Sequence, residues 1–540
     1  MMWTGMFGMR WKLEQTETVI EVLERAVARA PDNIFLEYLG KTYTYAEFDV
    51  ETTKLAHGLR KKNVAKGDAV ATMLDNSDEA ILIWFAINKL GAISVPLNTA
   101  LKGEFLHHQL SDSGASLVIA EAAYLPRIDE LKEALPSLKT LLCRGEPNPY
   151  GSAQSFASLW TEDATSIEGG PAFNDLAMLV YTSGTTGPSK GCMIGHNYLC
   201  YFAGEQAWAL GMRQDDIIWT PLPLFHLGAI GAVVLMAMRV GARMSLYPQF
   251  SLSKFWPEIE RTKATVTLAP ASMGVLIAEA PDTDVSRRCY GQLRVVGGVP
   301  FSAELTEKWR KRFGVKYVGA PGYGMTELSM VTLHPLHEPS PPGSSGRRFD
   351  DVDVRILDEN GFECPDGTAG EVVLRTRKPH IMFYGYWRRP EETVKAFDQL
   401  WFHTGDLGRF DKEGFFFFVD RKKDYMRRRG ENISSYELEN AFRKHPAIED
   451  VAAHAVLSKV SEDDVKVTIV LKENTSLSEE DLCRWCLDKI PFYAVPRYIE
   501  FRAELPKNPF GRVLKYQLRE EGATPTTWDR EKYPSIVVTR

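Results

Sequence analysis

Cysteine is scarce in this chain, and cations are outnumbered. Seven Cys, an odd number, are scattered over 540 residues. No disulfide framework is expected, and a reducing compartment, the cytoplasm, is the expected setting. Lys and Arg number 64 against 71 Asp and Glu, a formal net charge of −7. That balance disfavours a nucleic-acid partner. Long apolar runs are missing too. The longest, LGAIGAVVLMAM from Leu227 to Met238, stops at Arg239, too short to span a bilayer. The opening MMWTGMFGMRW has no basic stretch ahead of an apolar core, and Arg10 interrupts it. A secretory leader is therefore not expected. Repeats and low-complexity segments are also lacking.

What is present is the composition of a soluble globular protein, 44% hydrophobic and 25% charged. Its length exceeds one ordinary core, so at least two domains are expected. KGDAVATML, SLVIA and DLAMLVYT read as strands, and EAILIWFAINKLG reads as an amphipathic helix ended by a Gly. This alternation points to a layered α/β architecture. After about Arg375 the texture shifts to aromatic-rich β segments such as GFFFFVD, then to the charged DRKKDYMRRRGENIS. A compact run follows: helix SYELENAFRKH, strands VAAHAVL and VKVTIVL, helix SEEDLCRWCLDKI, and the loop PKNPFGRVLK. It reads as a small α+β domain of roughly a hundred residues. The boundary is expected near Asp420, giving domains 1–420 and 421–540.

Several loops carry residues suited to anion chemistry. YTSGTTGPSKG, Tyr181 to Gly191, follows a predicted strand. Its glycines free the backbone to curl, and hydroxyls and Lys190 can then face a polyanion. It is not a Walker A loop, because Ser189 precedes Lys190 where that spacing needs a hydroxyl after the Lys. A flexible Ser/Thr/Gly loop is the plainer alternative. GYGMTE offers Thr326 to a phosphate oxygen and Glu327 to Mg²⁺; a helix-start or buried Glu is the alternative. In WFHTGD, Asp406 could hold paired ribose hydroxyls or sit in an ordinary turn. PLFHLGA places His226 among apolar residues, where a His is commonly a packing residue. Six basic residues fall between Arg421 and Arg429; they suit a solvated hinge or a patch for a small cofactor's phosphates. Cys483 and Cys486 lie one helical turn apart with no second Cys pair or His nearby, which disfavours a metal site.

Taken in this order and spacing, YTSGTTGPSKG, GYGMTE, WFHTGD and DRKKDYMRRRGENIS resemble the adenylate-forming superfamily of acyl-CoA synthetases, luciferases and peptide-synthetase adenylation domains. The resemblance runs from TYTYAEF to GRVLKYQLR and is greatest to the bacterial carnitine/crotonobetaine-CoA ligase-like branch. It implies a large multi-layered N-terminal domain and a small mobile C-terminal domain. It also implies two half-reactions. A carboxylate attacks the α-phosphate of ATP, giving acyl-adenylate and pyrophosphate; the small domain then rotates, and the thiol of CoA displaces AMP. By the same resemblance Thr182, Ser183, Gly184, Thr185, Thr186, Gly187 and Lys190 would hold the β- and γ-phosphates. Gly297, Gly298 and Tyr323 would border the adenine, and Thr326 the α-phosphate. Glu327 would hold Mg²⁺, and Asp406 with Arg421 the ribose. His226 would line the acyl and pantetheine channel, Lys423 would be the hinge, and Arg429 and Gly430 would meet CoA.

The family carries a Lys directly after the Gly of its C-terminal loop, where it bridges the acyl carboxylate and the α-phosphate during adenylation. Here that position is Arg512. Lys is a compact point charge and Arg a broad planar fork, so the change is not conservative at a tight site. Weak or lost adenylation is expected, with thioester formation from a supplied acyl-adenylate as the main activity and a separate adenylating enzyme as the implied partner. A complete ligase using Arg512, Lys507 or Lys515, an enzyme loading a carrier protein, and a non-enzymatic ligand binder stand as alternatives. The acyl pocket is expected around Phe225, His226, Gly228, Ala229, Val299, Ala320 and Gly322. Its small residues leave room for a bulky apolar acid. Amino-acid-activating relatives carry an Asp in the stretch that here reads PLPLFHLGA, so an amino acid is disfavoured.

Overall fold

The computed structural model describes residues 15–145, 153–182, 188–298, 301–421, 425–458, 462–506 and 513–538. Two seven-stranded sheets dominate the large domain. The first runs Tyr317–Gly319, Val295–Gly297, Val266–Leu268, Ile217–Thr220, Arg243–Leu246, Ile34–Tyr38 and Lys41–Thr44. The second runs Gln154–Ser155, Thr140–Arg144, Leu117–Glu121, Ala69–Met73, Ile93–Pro96, Leu176–Thr182 and Lys190–Gly195. Both are parallel except for the last pair, a hairpin.

The segment EAILIWFAINKLG forms the helix Asp78–Lys89, but it is not amphipathic: Ile81 to Lys89 are all buried. It meets Ile34–Tyr38 of one sheet and Ile93–Pro96 of the other. A helix between two layers has no solvent face, which is why its polar stripe is missing. The apolar run from Leu227 likewise forms a continuous helix, buried except at Gly228, Arg239 and Val240, α-helical at Leu227–Ala229, π-helical at Ile230–Leu235 and α-helical again at Met236–Val240. Among the described residues no helix is long and apolar enough to cross a membrane.

A third, antiparallel sheet has Trp401–Phe410 at its centre and ends with Phe416–Arg421. The chain then forms the hairpin Tyr425–Arg428/Glu431–Ser434 and a four-stranded sheet built on Ile448–Leu457 and Asp463–Leu471. Helices Ser435–Arg443, Glu479–Cys486 and Lys515–Glu521 complete this small α+β domain. Its core is continuous with that of the second large sheet: Ile433, Leu438, Phe442 and Tyr493 belong to the same apolar cluster as Val118 and Leu179. The small domain is therefore docked. All seven Cys are free thiols.

Candidate active site

In parallel sheets, ligand loops gather beyond the carboxyl ends of the strands. The quoted motifs fall there. PLPLFH follows Ile217–Thr220, Gly297–Gly298 close Val295–Gly297, and GYGMTE follows Tyr317–Gly319. YTSGTTGPSKG connects the hairpin strands Leu176–Thr182 and Lys190–Gly195, so that Thr182 and Lys190 are paired across its base. Ser183, Gly184, Thr185, Thr186, Gly187, Val299, Lys423 and Arg512 lie outside the described residues.

The backbone around GYGMTE is tightly folded. A Cβ on Gly322 would stand 2.1 Å from the Thr332 carbonyl oxygen, and one on Gly324 1.7 Å from that of Ser329. The Tyr323 ring stacks on Phe416, centroids 4.9 Å apart, and its hydroxyl donates to Asp406 at 2.5 Å. Asp406 is buried and pairs in register with Arg421 across the antiparallel sheet. Tyr198 donates to the Thr326 carbonyl at 2.9 Å.

Glu327 is buried, and Tyr386 donates to it at 2.8 Å. Burial pushes its carboxyl above the usual range and nearby Asp406 adds to this, while the Tyr386 hydroxyl and Lys190 act against it. Lys190 lies 4.8 Å from the Tyr386 ring centroid and pairs with Glu392 at 2.6 Å. Tyr386 and Glu392 carry no motif signal. They reach the site because 385–387 lay their backbone along the strand Lys190–Gly195, through bonds such as Trp387 N–H to the Gly191 carbonyl.

His226 caps the π-containing helix, its ring 4.6 Å from that of Phe225. Its Nε2 lies 3.1 Å from Glu431 Oε1 of the small-domain hairpin. Arg429 and Gly430 form the tip of that hairpin, at φ 54° and 80°, the left-handed pair that a tight two-residue turn requires. Glu462 accepts from both their amides, 3.2 Å from that of Gly430. The Arg429 guanidinium lies 5.7 Å from the Phe492 ring centroid. Lys515 is engaged elsewhere, with Glu439 at 2.6 Å and Ser435 at 2.8 Å.

The expected acyl-pocket residues divide. Gly228 is exposed, with no atom within 4 Å of where its Cβ would be. Ala320 and Gly322 are partly exposed, whereas Ala229 is buried in the main core. The neighbouring Gly231 is packed against the Phe202 ring, 2.3 Å from a notional Cβ.

Residues 23–387 match the AMP-binding enzyme family, and residues 437–512 match the AMP-binding enzyme C-terminal domain, whose match ends at Arg512. The crotonobetaine/carnitine–CoA ligase of Salmonella paratyphi A is 31% identical over 492 residues, 89% of this chain and 94% of that one. A double mutant of o-succinylbenzoate-CoA synthetase from Bacillus subtilis, bound with its product analogue OSB-NCoA, has a TM-score of 0.80 at 26% identity, covering 94% of this chain and 99% of that one. The same enzyme in complex with AMP has a TM-score of 0.66 at 26% identity, covering 94% and 98%. The chain belongs to the AMP-binding enzymes, the adenylate-forming family of acid–thiol ligases, on its carnitine-CoA ligase-like side.

Proposed function

We propose that this enzyme forms acyl-CoA thioesters through an acyl-adenylate, that thioesterification is its main activity, and that adenylation is weak or lost. The observation that carries the thioester step is the 3.1 Å contact between His226 and Glu431. It sets the Arg429–Gly430 hairpin of the small domain beside His226, which we read as lining the acyl channel that a CoA thiol has to enter. Greater similarity to the product-analogue complex than to the AMP complex of one and the same relative supports reading this arrangement as the CoA-reacting one. The acid is apolar, held beside Phe225, His226, Gly228 and Ala320, and adenylate is presented by Tyr323, Thr326, Asp406 and Arg421.

Mg²⁺ fits the residues present as a shared ion, not a caged one. Among the described residues no cluster of three or more His, Cys, Asp or Glu could enclose a metal, whereas a Mg²⁺ bound with a nucleotide needs one or two carboxylates and takes its other ligands from phosphates and water. Glu327 is such a carboxylate, beside the strand base that carries Thr182 and Lys190. The ion would supply charge neutralisation at the phosphates.

Attack of one anion on another is mostly a matter of positioning and charge. Arg512, in the place of the family's adenylation Lys, is the basis for weak adenylation, and a separate adenylating enzyme would then supply the intermediate. One charge-assisted contact to a transferring phosphoryl group is worth on the order of 3 kcal/mol, a hundredfold or more in rate. The test runs acid with ATP, and pre-formed acyl-adenylate, in parallel, each with CoA. Thioester is expected from the adenylate and little from the acid, with Arg512→Lys raising ATP–pyrophosphate exchange far more than thioesterification. Strong exchange by the natural chain, unimproved by Lys, makes it a complete ligase.

A further inference from the structure

Asn76 joins the carboxyl ends of the two seven-stranded sheets. It follows the strand Ala69–Met73 of the second sheet and directly precedes Ser77, which caps the helix Asp78–Lys89. The strand behind and the helix ahead hold its backbone in place. Its side chain reaches the first sheet and is engaged there at both ends. The amide Nδ2 donates to the Leu222 carbonyl at 3.0 Å and to the Tyr247 carbonyl at 3.1 Å, and Oδ1 accepts from the Leu224 amide at 3.0 Å. Two carbonyls and one amide as partners fix which end of the side chain is which. Asn76 is only 6% exposed. The loop it holds is PLPLFH, Pro221 to His226, whose two prolines have no N–H to give. Asn76 grips this loop on both sides of Pro223, and the Pro223 carbonyl in turn accepts from the His226 amide at 3.1 Å.

We propose that Asn76 is a positioning residue for acyl selectivity. It fixes Leu222 and Leu224, and through them the Phe225 and His226 side chains that follow. This rests on the reading of Phe225 and His226 as acyl-channel residues. A channel tells apolar acids apart only while its walls keep their shape: one methylene more or less in an apolar pocket is worth a factor of about 10–200. Without the Asn76 amide, two carbonyls and one N–H lose their partner inside the protein, and the loop shifts to find others.

The test lets butanoyl-adenylate and octanoyl-adenylate compete for the natural protein and its variants, with CoA in excess, and reads the ratio of the two thioesters. That ratio does not depend on how much of a variant is folded, so lost stability alone leaves it where it was. In Asn76→Ala it should move toward one by roughly tenfold, the scale of discrimination by an apolar pocket. AMP affinity by calorimetry should be unchanged, because Tyr323, Thr326 and Asp406 belong to other segments. Asn76→Leu, which offers no polar atom in a similar shape, should behave alike and carries the same test if the Ala variant folds poorly. Phe225→Ala should move the ratio too, and adding Asn76→Ala to it should change little more, because both act on the same wall. A ratio that does not move toward one in Asn76→Ala or Asn76→Leu overturns the proposal, and so does an Asn76→Ala effect that adds in full to that of Phe225→Ala; Asn76 is then a link between sheets only. A natural protein that does not distinguish the two adenylates, or a ratio that neither Phe225→Ala nor His226→Ala moves, overturns the acyl-channel reading itself, and this proposal with it.

Discussion

At Gly298 a Cβ would stand 2.0 Å from the Ala269 carbonyl oxygen; at Gly228 it would meet nothing within 4 Å. The two glycines therefore answer different questions. Gly298 lets one backbone pass close to another at the carboxyl end of a strand. Gly298→Ala should cost roughly 3 kcal/mol, the upper range for forcing atoms into packed space, read as a lowered melting temperature. Gly228 sits in a helical turn, where Gly is a poor former by about 1 kcal/mol against Ala. Gly228→Val should leave stability within about 1 kcal/mol and shift kcat/KM toward shorter acids. Equal rates for short and long acids in that variant would remove Gly228 from the acyl pocket. The sequence alone identifies both residues as small and cannot tell open space from close contact. The same limit hid Tyr386, which reaches Glu327 only because a distant strand edge brings it there. Glu431, by contrast, lay inside the quoted GENIS stretch, and Tyr323 and Glu327 of one quoted motif lie beside Asp406 of another.

At the scale of elements, period and punctuation made most strands legible: KGDAVATML and DLAMLVYT hold Ala69–Met73 and Leu176–Thr182, and SLVIA holds all of Leu117–Glu121 but its last residue. The helix Asp78–Lys89 was legible as a helix but not as a buried one, because burial on all sides depends on which layers meet it. Nor does any local pattern announce that a strand buries an ion pair. In the four-stranded sheet Lys466 and Glu500 are paired and almost fully buried. Burial works against the charge of Glu500, but the Lys466 ammonium, the Arg502 guanidinium and the Thr527 hydroxyl outweigh it and hold the carboxyl down to about 2. In the unfolded chain it titrates near about 4.3. A carboxyl depressed on folding contributes stability above its unfolded pKa and loses it as pH falls through the folded one. The small domain should therefore lose stability between about pH 4 and pH 2. Glu500→Gln should abolish that slope and cost about 3–5 kcal/mol at pH 7, since Lys466 is left buried without its partner. Denaturant unfolding across pH checks both; an unchanged acid slope in the variant assigns it to other groups.

For the whole molecule, the issue is what holds the small domain where it sits. Among the described residues, the hydrogen bonds and ion pairs that cross the interface outside the shared apolar cluster include four. His226 meets Glu431, Ser189 meets Glu437, Lys102 donates to the Leu487 carbonyl at 3.2 Å, and Lys444 pairs with Glu104 at 2.5 Å. They differ in exposure. Both side chains of the Lys444–Glu104 pair are more than half exposed, whereas Glu437 is half-buried. Exposed pairs are typically worth about 0.2–1 kcal/mol, so this one can bias docking but cannot decide it. We propose Lys423, which lies outside the described residues, as the hinge of small-domain rotation; Lys423→Pro would fix φ there and hinder rotation. The pair is exposed and links the two domains, which makes it a clean handle on the docking equilibrium. Glu104→Lys and Lys444→Glu should each slow thioesterification about two- to fivefold, with more effect at low salt, where screening is weak. The double reversal should restore the rate, because the pair is reformed with opposite polarity. Affinity for acyl-adenylate, measured by calorimetry, should stay the same in all three, since its groups belong to the large domain. Singles that lower adenylate affinity, or a double variant no better than either single, would mean that the pair acts on the fold of the helix Gly103–Ser113 and not on docking.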